Sequence, residues 1–216
     1  MKNTLVFIHI PRTGGGTFKN ILTSWYLPEN CQKEVRLPTE RQLAGIQEGN
    51  PYNIVAQHKR VLHGHFTYHP SYKDRFLCTF IRNPVDWTIS RWAYHKTHAP
   101  QYGSVIDFMD WGFVNMQSKF LKGSTLDDFD FIGITDRYPE SMKIFKAKAP
   151  PSKVEKWLNI TDWDEEMLWQ KKVYGGNYKN ASKGFPVTDE EKSEILKRNQ
   201  DDFELYEKAV KRLDES

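Results

Sequence analysis

The fold is decided by the stretch Leu5-Val6-Phe7-Ile8-His9-Ile10-Pro11-Arg12-Thr13-Gly14-Gly15-Gly16-Thr17-Phe18. Its first six residues form a β-type run that is short enough to be a buried parallel strand. Pro11 ends this run, and three glycines follow it. Apolar residues then recur at helical spacing, which predicts a helix over Thr17–Tyr26. The stretch therefore predicts a strand that feeds a helix through a glycine-rich turn.

The same alternation of strands and helices continues along the chain. It predicts strands in Arg60–Phe66, Arg75–Ile81 and Phe131–Ile134, and helices over Val85–Thr97, Ser104–Trp111, Phe113–Leu121 and Arg137–Lys148. A capping box over Thr188–Glu191 opens closing helices that run to Leu213. Residues 27–60 and 149–187 are polar and predicted to be irregular, with weak helices near Thr39–Gln47 and Glu165–Lys171. The pattern predicts an α/β protein with a central parallel sheet covered by helices on both faces, and one domain over residues 1–216.

Charge and composition narrow the class of protein. The 216 residues include 31 basic and 28 acidic side chains, for a net charge of +3. This balance argues against nucleic acid as a partner, although it allows a local basic cleft for a small anion. No run approaches about 20 apolar residues, so no membrane span is predicted. Two cysteines, Cys31 and Cys78, fit a reducing compartment, and a cytoplasmic location is expected.

The glycine-rich turn has the chemistry of an anion site. Backbone N–H groups and the helix dipole concentrate positive charge where a strand enters a helix. Arg12 adds a cation, and the hydroxyls of Thr13 and Thr17 add donors. The turn is not a Walker A loop, which ends in Gly-Lys-Ser/Thr, and it lacks the dinucleotide pattern Gly-x-Gly-x-x-Gly. A tight turn that binds no ligand is the alternative.

A second polar group follows the strand Arg75–Ile81. Arg82 comes directly after it, and Ser90 lies one to two turns into the next helix. Ligands of open α/β sheets bind at the carboxyl ends of strands, so Arg82 is placed to bind a phosphate with Ser90 as a hydroxyl partner. A structural arginine that caps a helix or forms an ion pair is the alternative.

Together these motifs resemble a family. Pro-Arg-Thr-Gly-Gly-Gly-Thr, followed by Phe-Ile-Arg-Asn-Pro-(five residues)-Ser, is similar to the two signatures of sulfotransferases that use 3′-phosphoadenosine 5′-phosphosulfate (PAPS), especially the branch with heparan sulfate 2-O-sulfotransferase and bacterial carbohydrate sulfotransferases. The resemblance implies a P-loop-like three-layer α/β/α fold with a central parallel sheet. It also implies PAPS as donor, 3′,5′-ADP as product and no metal. It implies that Arg82 and Ser90 bind the 3′-phosphate. It also implies that the 5′-phosphosulfate is held by Arg12, Thr13, Gly14, Gly15, Gly16, Thr17 and Phe18.

The resemblance extends to a candidate base. His63-Gly64-His65-Phe66 is similar to the segment that supplies the family's catalytic base, and His65 is favoured over His63. The pKa of histidine suits proton removal near neutral pH. A structural role or a metal site remains the alternative for this pair. His9 is expected to be structural, although it lies close to the turn. Supporting similarity lies in the segments Asn115–Leu121, Phe131–Arg137 and Asp201–Tyr206.

Some parts of the chain depart from the family or leave alternatives open. Many members carry lysine where this chain has Arg12, and a guanidinium stabilises charge but does not readily donate a proton. Ser182 and Lys183 are candidate contacts to the adenosine phosphates, or else part of a solvated loop. Trp157, Trp163 and Trp169 are expected to be packing residues, or else platforms for a sugar.

The acceptor and the overall function are less constrained. The family implies a saccharide hydroxyl, while tyrosine, lipid and small-metabolite acceptors stay open. The oligomeric state is not predicted, and the missing membrane anchor suggests a bacterial or viral source. Two rival functions remain: a P-loop-type kinase that uses ATP and magnesium, and a nucleotide-binding module without turnover.

Overall fold

A five-stranded parallel sheet forms the centre of the protein. The computed structural model describes residues 4–26, 31–35, 60–98, 103–150 and 185–216. The strands are β1 (Leu5–Ile8), β2 (Cys31–Val35), β3 (Val61–Gly64), β4 (Phe76–Ile81) and β5 (Phe131–Ile134). Their order is β2-β3-β1-β4-β5, and each neighbouring pair is parallel.

Seven α-helices are described around this sheet within those ranges. They are α1 (Gly15–Tyr26), α2 (Pro84–His98), α3 (Val105–Asp110), α4 (Met116–Phe120), α5 (Tyr138–Lys148), α6 (Asp189–Arg198) and α7 (Gln200–Asp214). Short 3₁₀ turns cover Pro70–Tyr72, Leu126–Asp128 and Thr135–Arg137.

The two faces of the sheet are covered by different helices, which confirms the predicted three-layer α/β/α architecture. One face packs against α1 and α5 through a cluster that contains Phe7, Phe18 and Phe145. The other face packs against α7 and the end of α4 through a cluster that contains Ile8, Phe120 and Leu213. Both clusters draw on alternate residues of the strands, as expected when both faces of a parallel sheet are buried. Helices α2, α3 and α6 share a third apolar cluster.

The strand order creates a crevice between β1 and β4. The chain leaves β1 toward β2 on one side of the sheet, and it leaves the neighbouring β4 toward β5 on the other side. Connections that diverge from adjacent parallel strands leave room for a ligand at their carboxyl ends. The glycine-rich turn follows β1 and Arg82 follows β4, so both lie at this crevice.

Most predicted elements are confirmed, with three differences. Helix α1 begins at Gly15 instead of Thr17, because glycines are tolerated in a first turn whose N–H groups make no intrahelical bonds. Strand β2 lies in a segment predicted to be irregular. Its sequence CQKEV lacks an apolar run, and its pairing with β3 defines it as an edge strand. Helix α4 is shorter than the predicted Phe113–Leu121.

One further prediction is confirmed, and others lie outside the described residues. The capping box is present: Thr188 accepts from the Glu191 N–H, and Glu191 accepts from the Thr188 N–H. Cys31 and Cys78 are both buried, and no disulfide joins them. Within the described ranges, no helix is long and apolar enough to cross a membrane. The helices near Thr39–Gln47 and Glu165–Lys171 lie outside the described residues, and a single domain over residues 1–216 stays a prediction.

Candidate active site

The glycine-rich turn has a backbone that leaves N–H groups exposed at the start of α1. Arg12 and Gly14 have positive φ values of 69° and 79°. The Gly14 carbonyl accepts from the N–H groups of Thr17 and Phe18 at 3.1 and 3.3 Å. The first N–H groups of a helix have no intrahelical acceptor, and here these belong to Gly15, which is buried, and to Gly16, which is exposed. This arrangement suits an oxyanion.

Two of the glycines are required by neighbouring side chains. A Cβ on Gly14 would lie 3.1 Å from Cε2 of Tyr138, in a backbone conformation that side chains rarely adopt. A Cβ on Gly15 would lie 2.0 Å from Cδ2 of His9, so the His9 ring occupies the space of that missing side chain. Gly16 is exposed, and a Cβ there would meet nothing within 4 Å. The approach to the turn is therefore open at Gly16.

The remaining turn residues are tied to the body of the protein. The Thr13 hydroxyl donates to the Ile10 carbonyl at 2.8 Å. The Thr135 hydroxyl donates to the Thr13 carbonyl at 2.9 Å, and Nε1 of Trp87 donates to the Pro11 carbonyl at 2.7 Å. The proton of the Thr13 hydroxyl is thus engaged, and any contact of Thr13 with a ligand falls to its backbone N–H.

Thr17 and Phe18 are also turned toward the protein. Thr17 is buried, and Phe18 packs edge-on against Phe7 with ring centroids 4.7 Å apart. The Phe18 N–H already donates within the turn. These two residues shape the turn, whereas the open donors belong to the glycines before them.

Arg12, Arg82 and Ser90 converge at the crevice between β1 and β4. Nε of Arg12 donates to Oγ of Ser90 at 3.1 Å, and a terminal nitrogen of Arg82 donates to the Arg12 carbonyl at 3.2 Å. The Arg12 guanidinium also lies 5.5 Å from the ring centre of Tyr94, which is 41% exposed. Nε of Arg82 is buried and has no hydrogen-bond partner among the described residues. The structure thus brings together the two predicted cationic residues and their hydroxyl partner.

The two guanidinium groups are partly buried, and they make this region positive. Burial lowers the pKa of Arg12, and the nearby charge of Arg82 lowers it further. Burial also lowers the pKa of Arg82, against a smaller opposing effect of Asp86 and Asp136. No ion pair between described residues involves either arginine. Two partly buried cations that lie near each other favour binding of an anion, which neutralises both.

Behind Arg82 lies a buried polar network that the sequence did not predict. Oε1 of Gln117 accepts from the Arg82 N–H, and Nε2 of Gln117 donates to the Arg82 carbonyl, both at 2.9 Å. Asp202 accepts from the N–H groups of Gln117 and Ser118 at 3.1 and 2.7 Å. Burial raises the pKa of the Asp202 carboxyl, while these hydrogen bonds oppose the rise. The signal was present in the similar segments Asn115–Leu121 and Asp201–Tyr206, but it did not reveal that they contact each other.

The two predicted base candidates lie in different environments. His63 is within β3 and 2% exposed, whereas His65 lies just beyond the end of β3 at Gly64 and is partly exposed. Nδ1 of His65 lies 2.7 Å from the carbonyl oxygen of His9. A carbonyl can only accept, so in the neutral ring Nδ1 carries the proton and Nε2 carries the lone pair. This is the tautomer that a general base needs at Nε2.

Several candidates cannot be placed. Ser182 and Lys183 lie outside the described residues, as do Trp157, Trp163 and Trp169. In the described part of the chain, no group of three or more His, Cys, Asp or Glu side chains is arranged to hold a metal ion.

The similarity of this chain to known proteins is one of structure. No protein-family model matches the chain, and no curated protein matches it. Among solved structures, the chain is similar to the crystal structure of mouse sulfotransferase SULT7A1 complexed with PAP, with a TM-score of 0.41 and 12% sequence identity over 91% of this chain. The chain spans 64% of the length of that structure. At this TM-score and identity, the function has to be inferred from the site geometry described above.

Proposed function

We propose that the protein transfers a sulfuryl group from PAPS to an acceptor hydroxyl by in-line displacement. The observation that carries this proposal is the contact between Arg12 and Arg82 at the crevice beside the turn. These arginines have no ion-pair partner among the described residues. Arg12 belongs to the same turn as Gly15 and Gly16, whose N–H groups have no intrahelical acceptor. Adjacent cationic and N–H donors suit a ligand with more than one anionic group.

The chemistry of PAPS fits these donors. The 5′-phosphosulfate would be held by the N–H groups of the turn, and the 3′-phosphate by Arg82 and Ser90. Arg12 lies between the two positions, because its backbone belongs to the turn while its side chain reaches Ser90. When bound, PAPS supplies the sulfuryl group and leaves as 3′,5′-ADP. Ser182 and Lys183 are proposed as further contacts to the adenosine phosphates.

His65 is proposed as the general base, with His63 as the second candidate. Nε2 of His65 would accept the proton of the acceptor hydroxyl as the oxygen attacks sulfur. Nδ1–H keeps its bond to the His9 carbonyl, which stabilises the imidazolium that forms. Arg12 stabilises negative charge on the leaving phosphate, and it is not assigned a proton-donating role.

The acceptor class and the cellular context are proposed on the resemblance of the motifs alone. A saccharide hydroxyl is the proposed acceptor, within a single sulfotransferase domain. Location in the cytoplasm follows as part of the same proposal.

Selective stabilisation by ligands tests the donor assignment. We expect 3′,5′-ADP to raise the Tm more than AMP or ATP plus magnesium at equal concentration, because it alone carries both a 3′- and a 5′-phosphate in this set. A larger shift with ATP plus magnesium would instead support the rival kinase. Binding of 3′,5′-ADP without transfer from radiolabelled PAPS to a panel of saccharides, phenols and lipids would support the non-catalytic module.

Replacement of His65 tests the base. His65→Ala should remove turnover while the Kd for 3′,5′-ADP stays within about threefold of the parent value, because the ring does not belong to the phosphate contacts. His63→Ala is the matched variant. If turnover survives in His65→Ala and is lost in His63→Ala, the base is His63.

A further inference from the structure

His9 connects the glycine-rich turn to His65. Its N–H donates to the Gly64 carbonyl at 2.9 Å, and its own carbonyl accepts from Nδ1 of His65 at 2.7 Å. The His9 ring packs against the His65 ring with centroids 4.2 Å apart. On another side, Cδ2 of His9 would lie 2.0 Å from a Cβ on Gly15. A single residue thus contacts both the proposed donor site and the proposed base.

We infer that His9 is a positioning residue whose ring sets the distance between the glycine-rich turn and His65, and whose carbonyl fixes the tautomer of His65. The inference rests on the proposed sulfuryl transfer, because that reaction requires base and donor to be held on opposite sides of the acceptor oxygen. The position of the His9 carbonyl is fixed by β-sheet pairing, since His9 continues the parallel register of β1 with β3.

The side-chain part of the role depends on the shape of the ring. His9 is stacked on Phe7 at 5.4 Å between ring centroids, with an interplanar angle of 16°. Phe7 is fully buried, so it provides a fixed support behind His9. Removal of the ring would leave a gap between Gly15 and His65, which a mobile imidazole could enter. Misplacement of a catalytic group by about 1 Å can reduce the rate about 100-fold.

The His9 ring also stays neutral, which suits a spacer beside a base. Burial holds its pKa well below the ordinary value, and the nearby groups His65, Lys19 and His63 lower it further. His63 faces His9 from β3, His65 from just beyond the end of that strand, and Lys19 from α1. His65 gains positive charge when it accepts a proton, and a second charge on His9 would oppose that step. A neutral aromatic ring at this position therefore avoids repulsion.

Kinetics with matched variants test the role of the ring. We expect His9→Ala to lower kcat about 10- to 100-fold, while the Kd for 3′,5′-ADP changes less than about threefold. His9→Phe keeps a flat, uncharged ring and should recover kcat to within about fivefold of the parent value. An unchanged kcat in His9→Ala would overturn the inference. A loss in His9→Phe as large as that in His9→Ala would also overturn it, because shape would then not be the property that matters.

A double-mutant cycle tests the contact between His9 and Gly15 without an activity assay. Gly15→Ala places its Cβ on the His9 ring and should lower the Tm of the parent protein. In the His9→Ala background the same change should lower the Tm by less than half as much, because the ring is gone. Gly16→Ala is the control for stability, since a Cβ there meets nothing within 4 Å. Equal Tm losses from Gly15→Ala in both backgrounds would contradict the proposed packing.

Nitrogen NMR of the ligand-free protein tests the tautomer. The resonances of His65 are assigned by comparison with His65→Gln, and the neutral ring of the parent protein should show Nδ1 protonated and Nε2 unprotonated. His9→Ala should show a mixture of tautomers, because the ring no longer holds the imidazole against the carbonyl. Protonation of Nε2 in the parent would overturn the inference. If no acceptor is sulfated, the proposed function fails, yet this spectrum and the double-mutant cycle still decide the role of His9.

Discussion

The arginines of the candidate site and those of the carboxyl-terminal helices have opposite surroundings. Arg198 of α6 pairs with Asp110 at 2.5 Å and with Glu194 at 2.7 Å, and these carboxylates raise its pKa. Arg12 and Arg82 form no ion pair with a described residue, and burial lowers the pKa of both. Structural arginines are neutralised by the protein itself, whereas a cation held for a ligand is neutralised when the ligand binds.

The hydrogen bonds made to the main chain also differ between the two regions. Arg212 of α7 uses its guanidinium to bind main-chain carbonyls, donating to those of Leu126 and Phe129. At Arg82 the main chain is instead held by the amide of Gln117, at both its N–H and its carbonyl. The Arg82 side chain makes one main-chain hydrogen bond, to the Arg12 carbonyl, and its Nε has no hydrogen-bond partner among the described residues. The comparison implies that substitution of arginine should affect ligand binding in one region and only stability in the other.

The largest effect is expected at Arg82. Arg82→Ala should weaken binding of 3′,5′-ADP about 100-fold or more, because charge-assisted bonds to the 3′-phosphate are lost. Binding of AMP, which has no 3′-phosphate, should change less than about threefold. Isothermal titration of both ligands measures the difference, with Arg198→Ala as the control that should change neither Kd. Equal losses for 3′,5′-ADP and AMP would remove the 3′-phosphate from Arg82.

Arg12 is next, because it combines charge with a strained backbone. Its φ of 69° is unfavourable for any residue with a Cβ. Arg12→Ala and Arg12→Gly should each weaken 3′,5′-ADP binding about 10- to 30-fold. The glycine variant should be about 1 kcal/mol more stable than the alanine variant, because glycine adopts this φ freely. Urea unfolding measures the difference, and equal stabilities would mean that the turn relaxes when the side chain is removed.

Gln117→Ala tests whether the main-chain support matters for binding. The N–H and the carbonyl of Arg82 would both lose their partner, and this loss should lower the free energy of unfolding by about 2–3 kcal/mol. The affinity for 3′,5′-ADP should fall about fivefold through displacement of Arg82. Ser118→Ala is the matched control, because it removes a bond to Asp202 without touching Arg82. If both variants bind 3′,5′-ADP like the parent, the network supports the fold and not the site.

The sequence predicted the elements of the site better than their contacts. The run Leu5–Phe18 predicted β1, the turn and α1 because local periodicity and glycines define all three. Local patterns could not show that Arg12 reaches Ser90, or that Gln117 and Asp202 meet, since these contacts join residues 78 and 85 positions apart. Gly15 is another residue whose contact could not be predicted from local patterns. The resemblance placed it among the residues that hold the 5′-phosphosulfate, whereas the structure shows that the absence of its side chain makes room for the His9 ring.

The smallest effect is expected at Arg198, where an exposed ion pair is removed. Arg198→Gln should lower the Tm by about 1–3 °C, and 1 M salt should abolish most of that difference by screening. The hydrogen bond from Arg198 lowers the pKa of Glu194, so the pair stabilises the fold above the unfolded pKa of that carboxyl. Its contribution is lost as the pH falls through the lowered pKa, and parent and variant should then converge. Thermal unfolding at neutral and acidic pH measures this convergence. A Tm difference that persists in acid and in high salt would mean that Arg198 stabilises the fold by packing. Neutralisation by carboxylates would then not be the property that distinguishes Arg198 from Arg82.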